Sequence, residues 1–196
     1  MARFTGLSTN TPSELLLDSG VFLKGSYRTK TTVVAAMADS AKNLGATNGG
    51  GSFSAVPTIR QHTVDGGITN IKELEVIDEW VCTMVANVKS ITVKNIQLAL
   101  GCSTATPGTT TVDPGYTSIV GNADVDEDDY TDITWAGKLK GHDDPVIIIL
   151  KNALSLNGFN LTVADKDEAT VPITLTAHYD LSDLDEVPFE ILYPDA

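Results

Sequence analysis

The chain has 196 residues, 42% of them hydrophobic, with 26 acidic against 13 basic side chains and a net charge of −13. That length suits one domain spanning 1–196, with a core that needs no disulfide or metal staple; the apolar share and 16 glycines exclude a wholly disordered chain and a collagen-like one. Residues 1–100 carry nine basic and eight acidic groups, residues 101–196 four and eighteen, and a surface so acidic repels phosphate, which argues against tight binding of DNA, RNA or anionic lipid.

Thr and Val are abundant and Leu-Glu-Lys runs scarce, which favours strands. Thr11-Pro12-Ser13-Glu14 has the form of a capping box, but Asp18-Ser19-Gly20 follows so closely that only a short helical turn is expected, then a strand over 21–27. Val33, Val34, Met37, Ala38, Ala41 and Leu44 fall at helical spacing, predicting a helix over 32–44 with Gly45 as its C-terminal cap. Asn48-Gly49-Gly50-Gly51-Ser52 orders at high entropic cost and predicts a mobile loop over about 43–53. From 53 to 87 the pattern is strand-like. Trp80, Cys82, Met84, Ala86 and Val88 alternate with residues that are themselves largely apolar, as in a central strand covered on both sides. A second helix is expected over 92–100, capped by Ser90 or Thr92, ended by Gly101, with Val93, Ile96 and Leu100 as its apolar stripe.

Thr, Pro and Gly over 102–113 and acidic residues over about 121–132 predict long surface loops. Strands resume at 133–140 and 146–151. The Asn157-Gly158 turn predicts another over 159–164. Ile173, Leu175, Ala177 and Tyr179 alternate inward, and 187–193 offers a last short strand. No repeat of solenoid length occurs. The sum is a mainly β protein, a β-sandwich or barrel with one or two flanking helices and long loops. The longest apolar run, 146–150, is far short of a membrane span, and Met1-Ala-Arg-Phe-Thr-Gly opens without a signal-like hydrophobic region, so residence in the cytoplasm where the chain is made is expected, with no membrane insertion.

The chemical motifs are thin. Leu15-Leu-Leu-Asp18-Ser-Gly-Val21 looks like the active-site turn of aspartic proteases, which need a second carboxylate; with one such turn the pair would require a homodimer. Asp124, Asp126 and Asp128 match the first three liganding positions of a calcium loop, yet Asp129 stands where glycine is needed and Trp135 where glutamate is needed. His62, His142 and His178 are too far apart for metal spacing, and Cys82 and Cys102 form no C-x-x-C pair, which predicts packed thiols. Nucleophile-elbow and phosphate-loop patterns do not occur. Neither catalysis nor a cofactor is expected.

Several segments together resemble the major tail (tube) proteins of long-tailed bacteriophages: Thr11-Pro-Ser-Glu-Leu-Leu-Leu-Asp-Ser-Gly-Val-Phe22; Leu44-Gly-Ala-Thr-Asn-Gly-Gly-Gly-Ser-Phe53 with Pro57, Arg60 and Val64-Asp65-Gly66; Glu75-Val-Ile-Asp-Glu-Trp80 with Asn87-Val-Lys-Ser-Ile-Thr92; Val171-Pro-Ile-Thr-Leu-Thr-Ala-His-Tyr-Asp180; and Val187-Pro-Phe-Glu-Ile-Leu192. The resemblance implies a structural virion protein, made in the bacterial cytoplasm and resident in the tail. Six copies would close into a ring, rings would stack into a tube that passes the genome, and other tail proteins would be partners. Within that picture Gly45, Asn48, Gly49, Gly50, Gly51 and Phe53 are the candidate inter-ring loop. Asp124, Asp126, Glu127, Asp128, Asp129, Asp165, Asp167 and Glu168 are candidate lumen carboxylates that keep DNA from sticking. An immunoglobulin-like binding or adhesion module is the alternative, and a homodimeric aspartic protease a remoter one.

Overall fold

A computed structural model describes residues 6, 8, 11–67, 71–110, 113–163, 165, 166 and 168–195. Its strands follow the alternation of apolar residues. They are β1 (Leu16–Lys24), β2 (Thr47–Gln61), β3 (Glu75–Val88), β4 (Ser103–Pro107), β5 (Thr117–Gly121), β6 (Thr131–Leu139), β7 (Val146–Ser155), β8 (Val171–Thr176) and β9 (Phe189–Leu192). Two α-helices, α1 (Lys30–Ala38) and α2 (Val93–Leu100), complete the order. The protein is mainly β, as its composition predicts.

All pairings are antiparallel, and β7 belongs to two layers. Its first half pairs with β6 and β9, while Leu154 and Ser155 pair with β8. Between these halves Asn152 takes a left-handed φ of 46°, with its amide donating to Asp132 Oδ1 at 3.0 Å. The strand thus turns from a first layer, β1-β6-β7-β9, into a second, β7-β8-β3-β2. The layers face each other across Phe22, Ile133 and Leu150 from the first and Cys82, Met84, Ile173 and Leu175 from the second, all buried. Phe189 of β9 closes the gap, its ring 5.9 Å from Phe53 and 5.3 Å from Trp80. A smaller core lies outside the first layer, where Val33 and Ala36 of α1 cover Leu23, Ala136, Ile147 and Ile149.

Several expectations need correction. Near the amino terminus the reciprocal bonds join Ser8 and Thr11, so the cap sits three residues before the predicted box and only Thr11–Ser13 turns helically. Helix α1 starts at a Thr29–Thr32 capping box and ends six residues before Leu44. There Asp39 takes the Ala41 amide at 2.9 Å, and this local bond competes with the helix. Gly45 is therefore no cap. The glycine-rich segment is strand, not loop. The Thr- and Pro-rich stretch after Cys102 is not all loop either, because β4 and β5 pair there as a hairpin. Conversely 159–163 carries no strand, only a bridge from Thr162 to Thr170, and Ala164 lies outside the described residues.

The alternating row of β3 is buried on one side only: Cys82, Met84, Ala86 and Val88 are inside while Val81 is exposed. Helix α2 has the predicted caps, Thr92 and Gly101, but its buried residues are Asn95 and Ala99 rather than Val93 and Leu100. Asn95 acts as a bracket, donating from Nδ2 to the carbonyls of Leu44 at 2.8 Å and Ser90 at 2.6 Å. Ile173 and Leu175 of β8 and Ala177 just past its end face inward as expected, with Tyr179 half-buried beyond.

Both cysteines are free. Burial pushes the Cys82 thiol up to about 11, so at pH 8 only about one part in a thousand is thiolate. Half-buried Cys102 is also raised, by burial first and then by the nearby Asp129 and Asp126 carboxylates. With native protein, a chromogenic disulfide reagent should react at Cys102 alone. Cys82 should join only on unfolding, and two equally fast thiols would contradict its place between the layers.

Candidate functional site

The outer strands define where another molecule can approach. β1 and β2 end the two layers, and each carries a bulge near the same place. In β1 it falls between Leu17 and Val21, with Asp18 and Gly20 both at φ 69°. In β2 it falls between Thr47 and Gly51, with Gly49 at φ 73° and Gly50 at 66°. The Asp18-Ser19-Gly20 turn is thus a bulge inside an edge strand. Further along β2, Pro57 pairs with Trp80, whose amide donates away from β2 to the Tyr179 hydroxyl at 2.8 Å. The proline nitrogen therefore lies on the free side, where it removes a donor from the edge. Four-residue β9 is bracketed by Pro188 and Pro194. The edges at β1, β2 and β9 are thus each interrupted against strand addition.

The two bulges form the lips of an apolar cleft of about 390 Å³ lined by Phe22, Phe53, Met84, Trp135 and Ile148. Trp135 packs half-buried at the edge of the main core and donates its indole N–H to the Ser19 carbonyl at 3.0 Å. Gly20 and Gly137 cradle it: a Cβ at either would lie under 2.5 Å from the indole. Trp80 is likewise half-buried against the core, so both tryptophans pack at its margin.

Of the candidate loop residues, Gly45 sits at φ 93° with its amide bonded to Asn43 Oδ1 at 2.8 Å, pressed against Ser90. Gly51 touches Phe22 and the Val85 carbonyl, and Phe53 packs against Phe189. Asn48, Gly49 and Gly51 are exposed, with Gly50 half-buried beside Ser19.

Beyond the sandwich, β2 and β3 continue as a two-stranded arm. Past Trp80 every β3 residue from Glu75 to Glu79 is exposed. The arm bears Val56, Ile59, Val76, Ile77 and Val81, all exposed large apolar side chains, with His62 at the end of the paired strands and the exposed pair Arg60–Asp78 across them. Sequence periodicity missed this arm, although apolar residues on both faces of 75–81 were its visible signal.

The acidic candidates fall on separate loops. Asp124, Asp126, Glu127, Asp128 and Asp129 lie between β5 and β6, and Glu127–Asp129 forms a short helical turn with Asp129 Oδ2 taking the Asp126 amide at 2.9 Å. Asp128 and Asp129 border a small cleft with Lys24 and Lys94. Asp165 is exposed between β7 and β8, Glu168 pairs with Lys89, and Asp167 lies outside the described residues. The histidines stay apart: His142 stacks edge-on with Tyr193 and His178 with Tyr130. Among the described residues no three His, Cys, Asp or Glu side chains converge to hold a metal ion, and no helix is long and apolar enough to cross a membrane. The sequence matches no protein-family model and no curated protein.

Proposed function

We propose that this chain is a self-assembling structural subunit of the tail-tube kind, copies of which close into rings of six and stack into a tube for genome passage. The arm carries the proposal. A hairpin that runs past its own core with apolar side chains on view gains by burying them against another molecule, and identical copies are the partner an assembling subunit always has. Blunted edges at β1, β2 and β9 favour a reading in which copies meet through the arm and the layer faces rather than by strand-to-strand pairing around a ring. In this proposal the Asp124–Asp129 loop and the 165–168 loop supply the negative walls, the virion tail is the destination, other tail proteins cap the tube, and no enzyme chemistry is involved.

Negative-stain microscopy of the concentrated protein tests it. Rings or tubes are expected, and the double variant Ile59→Lys with Ile77→Glu should abolish them while leaving a folded monomer, because the two residues pair across the strands, opposite charges there attract, and exposed positions away from the core shift stability by only about 0.5 kcal/mol. A parent chain that remains monomeric at high concentration overturns the proposal. It would favour the immunoglobulin-like binding module, for which the sandwich is equally suited.

A further inference from the structure

The edges at β1, β2 and β9 are interrupted, which leaves the β4–β5 hairpin, a two-stranded sheet of its own. Its register runs without a bulge, from Ser103 opposite Gly121 to Pro107 opposite Thr117. Just beyond its ends the Gly108 amide donates to the Tyr116 carbonyl at 2.8 Å, and the Asn122 amide to the Cys102 carbonyl at 3.1 Å. Opposed residues in an antiparallel pair alternate between exchanging both hydrogen bonds and exchanging none, so these two bonds fix which groups face inward. Ser118 and Val120 of β5 bond to β4, while Thr117, Ile119 and Gly121 turn their N–H and C=O groups away from it. The outward residues of β4 are Ser103, Ala105 and Pro107.

The two outer edges differ. On β4, Pro107 has no N–H to offer, and the Ser103 carbonyl already accepts from Gln97 Nε2 at 3.3 Å. On β5, the outward groups of Thr117, Ile119 and Gly121 find no hydrogen-bond partner among the described residues. Four of the five β5 residues are exposed, and a Cβ built on Gly121 would meet only the Cys102 carbonyl, at 3.9 Å. The strand holds neither proline nor a charged residue. Tyr116 and Val120 stand 77% and 61% exposed on the face opposite half-buried Ile119. An uninterrupted, uncharged edge of this kind is a template for another strand.

We propose that β5 pairs antiparallel with β5 of a second copy, joining two hairpins into one four-stranded sheet. The outward residues are spaced evenly about Ile119. A two-fold axis there sets Ile119 opposite Ile119 of the mate and Thr117 opposite the mate's Gly121. Each opposed pair then exchanges both hydrogen bonds, so every outward group of β5 is used. On the other face Ser118 meets Val120 of the mate, and the diagonals bring Val120 beside the mate's Val120 and Tyr116. Asp113 and Asp124, the nearest carboxylates along the chain, fall opposite Val125 and Pro114 rather than opposite each other. Two five-residue strands bury little surface, so the contact is weak and fills only as the protein is concentrated. It uses no residue of the arm and closes after two copies, which makes it independent of the assembly reading above.

Charges placed in register test the contact. Ser118 and Val120 are exposed, so changing them leaves the subunit folded. The arm double variant, Ile59→Lys with Ile77→Glu, serves as the background, so that tubes do not mask a dimer. Adding Ser118→Lys with Val120→Lys sets lysine opposite lysine twice. It should weaken dimerisation about tenfold in sedimentation equilibrium, although it lowers the net negative charge. Ser118→Lys with Val120→Glu leaves the net charge unchanged, sets lysine opposite glutamate twice, and should restore the dimer. Separately, full chains carrying Cys102→Ser, one kind with Ser118→Cys and the other with Val120→Cys, should give a covalent dimer and no larger ladder when mixed and oxidised. Charge variants that associate alike, with no cross-link in the mixture, overturn the contact and leave the assembly reading untouched. A parent chain that dimerises in this register without forming rings or tubes keeps the contact and overturns that reading instead.

Discussion

Gly51→Ala should cost about 3 kcal/mol of stability, near the upper end for forcing atoms into a packed site. A Cβ there would lie 2.0 Å from the Val85 carbonyl oxygen and 2.6 Å from Phe22 Cζ. The first is backbone of the neighbouring strand and cannot swing aside. The second is wedged between the layers, so the variant must part β2 from β3 or displace a core ring. Gly49→Ala is the contrast. It meets nothing within 4 Å and pays only for a left-handed φ of 73°, about 1 kcal/mol. For a domain of this size these costs lower the melting temperature by about 6–12 °C and 2–4 °C respectively. Calorimetry of the two variants decides whether the glycine run is a bulged strand. Equal, small shifts would return it to the free loop its composition suggests.

Trp80→Ala should cost about 3 kcal/mol, the lower bound for truncating a core tryptophan, since its ring is only half-buried. The loss falls at one place, the seam where β9 is held to the second layer through Phe53, Phe189 and Trp80. A double-mutant cycle with Phe189→Ala should therefore show coupling of about 0.5–1.5 kcal/mol. Urea unfolding of the four proteins measures it. Additive costs would mean that the rings do not touch, and an unchanged Trp80→Ala variant would remove the residue from the core margin.

The sequence announced elements whose signals are local. Helix α2 is bounded by Thr92 and Gly101, which act on backbone groups within four residues, and β8 alternates cleanly because one side is buried and the other half-open. Failures occur where distant chain decides. Residues 39–44 have helical spacing, but the Lys94 ammonium, brought over from α2, bonds the carbonyls of Ser40 and Asn43 and stabilises an irregular path. Burial holds Lys94 below the usual lysine range, with Asp39 pulling the other way. Glycines 49–51 read as loop because their entropy cost is local, whereas the compensating ladder to β3 comes from residues 85–88. A groove between α1, β1 and β6 is not legible either, since the fold assembles it from segments over a hundred residues apart.

The sharing of β7 between both layers has a kinetic consequence. Hairpin β2–β3 can form early, because its strands are near in sequence and each added pair extends a local ladder. The first layer cannot, since β1 must wait for β6, synthesised more than a hundred residues later. Even then the layers are not joined until β7 has bent at Asn152 and met β8 and β9. Loop closure of that length precedes most of the stabilising contact, so folding is expected in milliseconds to seconds rather than microseconds. On a ribosome, the first half of the chain spends its time with the inward row of β3 uncovered and only the arm complete. Both layers are therefore joined only when the last strand has emerged.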